Sequence, residues 1–193
     1  MASFALCLQH GCDGFEFDVR LSLDGVAVVC HDPVSGGFEI ERTAADALGL
    51  PSLNEVLKQF SGRAFLDIEL KVVGLEAFVV AALAENPPQK GFVVSSFLPD
   101  VLRELHGLAP ETPLGLLCEA EDQMLGWREN SAAWVIPQFK IASRQLIDDA
   151  HAAGKKVMVW TVNDVESMKR FTDWGVDAII SDETEFMTRS VIP

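Results

Sequence analysis

Short apolar runs alternate with stretches of helical periodicity along almost the whole chain, and this alternation limits the architectures open to it. The apolar runs open at Gly14, Phe65, Phe92, Pro113, Trp134, Lys156 and Ala178. Helical signals separate them. Ser52 can cap a helix with Glu55 at the capping-box position, and Leu53, Val56, Leu57 and Phe60 form its apolar face. Further helices are predicted over Leu75–Ala84, Pro99–Leu108, Ser143–Ala153, Val165–Trp174 and Glu183–Arg189, with a weak one over Glu121–Glu129. Val34 to Leu50 reads as a loop region. Strands that alternate with helices build parallel sheets from βα units. Seven core strands, preceded by a half-helix over Ala2–His10, are one βα unit short of a (β/α)8 TIM barrel. An open doubly wound sheet is the alternative, but the chain has neither a GxGxxG fingerprint nor a Walker loop.

A chain of 193 residues, 49% of them hydrophobic, suits a single domain over 1–193 with a sizeable core. With 29 acidic and 15 basic residues the formal net charge is −14, which argues against nucleic acid or a stable membrane association as partners. No apolar run reaches the length of a membrane span, and the first ten residues lack the basic region of a signal peptide. A cytoplasmic location is therefore expected. Cys7, Cys12, Cys30 and Cys118 form no CxxC pair and no zinc spacing, so they read as free, mostly buried thiols.

Two stretches carry the chemistry. In the strand opening at Gly14, Phe15, Phe17 and Val19 share one face and Glu16, Asp18 and Arg20 the other. The strand repeat sets the two acids roughly 7 Å apart. The run Phe65–Lys71 repeats the device, with Leu66, Ile68 and Leu70 against Asp67, Glu69 and Lys71. A strand with one wet face would give the same alternation. If the two strands are parallel neighbours, however, Glu16, Asp18 and Glu69 converge on one point. Oxygen ligands of that kind hold hard divalent cations such as Mg2+ or Ca2+, and a lysine alongside suits an anionic substrate, most simply a phosphate. Asp67 lies deeper, where a pairing with Arg20 or Lys71 is expected.

The segments DGFEFDVRLSLDGVAVVCHDP, FLDIELK, VVSSF, PLGLLC, KVMVWTVN and GVDAIISD resemble the glycerophosphodiester phosphodiesterase family from about Cys7 to Asp182. The resemblance implies a (β/α)8 barrel that cleaves glycerophosphodiesters to glycerol 3-phosphate and an alcohol with Mg2+ or Ca2+. It implies that Glu16 and Asp18 (E-x-D) and Glu69 (I-E-x-K) bind the metal. It further makes His31 of H-D-P a catalytic histidine, Lys71 a phosphate contact, and Trp160 of W-T-V-N part of the wall near the glycerol.

The family pattern also has a first strand ending in H-R-G and a following E-N loop. Here the sequence before Gly14 matches only the later part of helix one. The chain thus carries three of four expected acidic ligands and one of two catalytic histidines, and His10 does not replace the other. Two readings follow: a phosphodiesterase whose given sequence is N-terminally truncated, or an inactive homologue that binds a metal or glycerophosphodiester as a sensor or interaction module. A homodimer that pairs the strand flanks is a further expectation.

Overall fold

In the computed structural model, which describes residues 1–185 and Thr188, the chain divides into two units. One comprises Met1 and Gly14–Thr112; the other comprises Ala2–Asp13 and the chain from Pro113 onward. The chain opens with helix α1 (Ala2–Gln9), which belongs to the second unit.

The first unit starts with strand β1 (Gly14–Leu21), which turns through Asp24-Gly25 into the antiparallel strand β2 (Ala27–Val29). The region expected to be a loop contains a small hairpin, β3 (Val34–Ser35) and β4 (Phe38–Glu39), a 3-10 turn at Ile40–Arg42 and one turn of helix, α2 (Ala45–Leu48). Neither strand of this hairpin has a buried residue, so no apolar run marks it in the sequence. Helix α3 (Leu53–Phe60) has the full capping box at Ser52 and Glu55 and buries Leu53, Val56, Leu57 and Phe60. Strand β5 (Phe65–Leu70), helix α4 (Glu76–Glu85), strand β6 (Phe92–Ser96) and helix α5 (Pro99–Leu108) complete the unit. Strands β1, β5 and β6 run parallel, and β5 lies between the other two.

The start of β1 explains a glycine. A side chain at Gly14 would collide with the carbonyl of Phe65, its register partner on β5. One residue further on, the Phe15 ring meets that of Phe60 edge-on at 5.2 Å, tying β1 to α3.

In the second unit, strands β7 (Leu114–Cys118), β8 (Trp134–Pro137), β9 (Lys156–Val159) and β10 (Ala178–Ile179) form consecutive parallel pairs. Helices α6 (Arg144–Ala152) and α7 (Val165–Trp174) connect them, capped by Ser143 and Asp164. All five residues of β7 are buried, as the apolar run PLGLLC requires. The helix expected over Glu121–Glu129 is only a 3-10 turn at Glu121–Met124. That stretch has no apolar stripe to bury, and Leu125 is 82% exposed. Of the closing helix expected over Glu183–Arg189, Thr184, Glu185 and Thr188 are helical, while Phe186, Met187 and Arg189 lie outside the described residues. Among the described residues the seven expected core strands are all present, three parallel in the first unit and four parallel in the second.

Candidate metal centre

The register of β1 against β5 sets Glu16 beside Asp67 and Asp18 beside Glu69. Neighbouring strands lie about 4.8 Å apart, so two acids from each strand crowd one patch of sheet. Glu16, Asp18 and Glu69 each bring a carboxylate oxygen to within 4.8 Å of the others. The side chains thus lean together, closer than the ~7 Å backbone repeat of a single strand implies.

These acids do not form a wet face. Asp67 and Glu69 are only 2% and 7% exposed, and β5 is buried along nearly its whole length. Burying carboxylates is costly unless something compensates their charge. Lys71 compensates in part: its Nζ lies 2.6 Å from Glu69 Oε1 and 2.9 Å from Asp18 Oδ1. Half burial acts to lower the ammonium's pKa, but its bonds to Glu69 and Asp18 outweigh that and raise it above 10.5. Its tip also sits 5.9 Å from the centre of the Phe97 ring.

One ammonium does not balance four carboxyl groups. Burial, and then the charges of Asp18, Asp67 and Glu69, push Glu16 well above the usual carboxylate range; Lys71 offsets only part of this. Glu69 is raised too, chiefly by burial, against the pull of Lys71. Glu16 Oε1 is buried without a hydrogen-bond partner. Three converging oxygen donors, one of them orphaned, in a pocket short of positive charge suit a hard divalent cation.

Asp67 is not a member of the converging set. Its Oδ1 accepts a hydrogen bond from the Ser95 hydroxyl on β6 at 2.5 Å. The expected pairing with Arg20 or Lys71 is therefore corrected. Arg20 donates its Nε–H to the His31 carbonyl at 2.8 Å, and Lys71 is held by Asp18 and Glu69. Burial pushes the Asp67 carboxyl up to about 7; the Ser95 bond pulls the other way, and Glu69 and Asp18 add to the rise. The Ser95 partnership was readable only as an apolar strand, VVSS, ending in two serines; nothing in the sequence pointed the hydroxyl at Asp67.

His31 follows β2 and contributes no atom to the acid cluster. Its side chain is 70% exposed, and its Nδ1 lies 2.7 Å from Asp32 Oδ1. Trp160 belongs to the second unit, directly after β9, where its indole N–H donates to the Ile136 carbonyl at 2.9 Å. The peptide bond from Trp160 to Thr161 is cis. Asn163, the last residue of W-T-V-N, bonds Asp182 and Ser181 through its amide. His10 is bonded to the Thr184 hydroxyl at 2.8 Å.

The model of the glycerophosphoryl diester phosphodiesterase family matches residues 1–82 and 69–186. The chain belongs to this family. It is 28% identical over 221 residues to a glycerophosphodiester phosphodiesterase of Caldanaerobacter subterraneus subsp. tengcongensis, a match spanning 99% of this chain and 90% of that protein. Among solved structures it is similar to an Oleispira antarctica phosphodiesterase in complex with the product sn-glycerol-3-phosphate. There the identity is 27% and the TM-score 0.89, over 100% of this chain and 90% of the other. A glycerophosphodiester phosphodiesterase of Parabacteroides distasonis gives 26% identity and a TM-score of 0.84 over 95% and 85%. The fold class is accordingly the α/β TIM barrel of these phosphoric diester hydrolases. Among the described residues no helix is long and apolar enough to cross a membrane.

Proposed function

We propose that this chain hydrolyses glycerophosphodiesters to glycerol 3-phosphate and an alcohol at a divalent-cation centre held by Glu16, Asp18 and Glu69. The observation that carries the reading is the convergence of those three carboxylates within 4.8 Å, beside a lysine, in a family of phosphodiesterases. Mg2+ or Ca2+ is the ion the all-oxygen donor set favours. When bound, such an ion would neutralise the charge that develops on the phosphoryl oxygens.

The chain's own residues would do the rest. Lys71, whose ammonium stays charged, would bind a non-bridging phosphoryl oxygen and orient the phosphate against the acid cluster. His31 would move the proton. With Nδ1 engaged by Asp32, the neutral ring presents Nε2 as the acceptor, and the protonated ring presents it as the donor to the leaving alkoxide.

The deciding experiment is release of glycerol 3-phosphate from glycerophosphocholine, with added Mg2+ or Ca2+ and after chelation. Glu16→Gln and Glu69→Gln are expected to abolish release, and Lys71→Met to raise KM. His31→Ala is expected to lower kcat by about 10²–10⁴-fold, the usual worth of a general acid or base. Release that survives chelation and both Gln substitutions would defeat the reading. Binding of the diester without turnover would instead favour a sensor or interaction module.

A further inference from the structure

Helix α1 ends in a Schellman motif. The Cys12 N–H donates to the Cys7 carbonyl at 3.3 Å, and inside that bond the Gly11 N–H donates to the Leu8 carbonyl at 3.1 Å. The nested pair needs a left-handed residue, and Gly11 supplies it with φ of 92°. The motif brings together the side chains at the two ends of the outer bond, where most helices place an apolar contact. Here the two residues are cysteines.

Burial raises the pKa of the Cys7 thiol, and the Cys12 side chain is a close enough neighbour to raise it further. Cys12 is buried and Cys7 is half-buried. The other two cysteines differ. The Cys30 sulfur lies on the Asp32 carbonyl, and the Cys118 sulfur on the carbonyls of Leu116 and Gln123.

We propose that Cys7 and Cys12 form an oxidisable pair that closes to an intramolecular disulfide by exchange with a low-molecular-weight disulfide. The backbone bond from Cys12 to Cys7 keeps the two residues neighbours at the helix end, which favours their closure over a bond to a more distant cysteine. Cys7 is the more accessible sulfur. Its thiolate attacks the small disulfide, whose S–S bond breaks and releases one small thiolate. Cys12 then attacks the Cys7 sulfur of the mixed disulfide and releases the second. The protein gives up two electrons and two protons, and the small disulfide leaves as two thiols. Burial and the Cys12 neighbour push the Cys7 thiol up to about 12, so the first attack is slow. The informative measurement is therefore the equilibrium.

The chain is equilibrated at about pH 8 in glutathione buffers from reducing to oxidising, quenched by alkylation, digested with trypsin and weighed. The fragment Met1–Arg20 contains Cys7 and Cys12 and no other cysteine. The expected result is joint loss of both alkylation sites in that fragment, leaving it about 2 Da lighter than its reduced, unalkylated mass. Cys30→Ser is expected to leave this behaviour unchanged. Cys7→Ala and Cys12→Ser should each abolish it; the first sits at a half-buried position and keeps the test open if the second fails to fold. Persistence of both thiols into the oxidising buffers would overturn the proposal. So would glutathione adducts without closure, or a bond from either residue to Cys30 or Cys118.

Discussion

Asp67 shows what a single buried carboxyl can do to the pH response of the fold. Desolvation holds its proton up to about 7 in the folded chain, against 3.8 when unfolded. Between those values the folded state binds a proton that the unfolded state has released, so stability falls as pH rises through the window. Asp67→Asn keeps an acceptor for the Ser95 hydroxyl and removes the titration. With chelator present, the substitution is expected to flatten the decline in Tm between roughly pH 5 and pH 8 and to raise Tm at the upper end. The shift should be several degrees, at about 2–4 °C per kcal/mol for a chain of this size. An unchanged slope would mean that Asp67 ionises without penalty in the folded state. The sequence made the identity of the acids legible, because alternation assigns each side chain to a face. It did not make their packing legible. The distance among Glu16, Asp18 and Glu69, the capture of Lys71 by two of them, and the bond from Ser95 to Asp67 all depend on which strands become neighbours.

At the scale of the element, local signals were readable wherever a run was long enough to show a period or a cap. Helix α3 is the clearest instance. Ser52 Oγ accepts the Glu55 N–H at 3.2 Å, and Glu55 Oε2 accepts the Ser52 N–H at 2.8 Å, as the serine and glutamate three apart imply. Ser52→Ala is expected to cost about 1 kcal/mol in a urea melt, with the slope of the transition unchanged. The Glu55 end of the box is pH-sensitive in the opposite sense to Asp67. The bonds from Ser52 depress its pKa below 4.5, so its contribution is present above that value and is lost as pH falls through the depressed one. Positions of the parallel strands were legible because short apolar runs between helices have few other uses. The hairpin of β3 and β4 and the turn at Glu121–Met124 were not. The first is fixed by the register Val34 to Glu39 and Ser35 to Phe38, the second by bonds spanning three residues, and neither leaves an apolar stripe.

For the molecule as a whole, the acid cluster sits in a chain already carrying a formal charge of −14. Each buried carboxylate therefore ionises against a field of its own sign, and a divalent cation relieves local and global repulsion together. A ligand that binds only the folded state stabilises it in proportion to the logarithm of its concentration, by about 2.7 kcal/mol at a hundredfold excess over Kd. Millimolar Mg2+ or Ca2+ is accordingly expected to raise Tm by several degrees, and chelation to reverse the rise. Glu16→Gln separates this from ordinary salt screening. It removes a charge whose ionisation burial and three neighbouring acids oppose, so the chelated variant should melt higher than the chelated wild type. It also removes one of the three converging donors, so the cation should add little to the variant. Screening would act on both proteins alike and would be matched by sodium chloride of equal ionic strength. An equal cation-induced rise in the two proteins would place the binding elsewhere on the acidic surface.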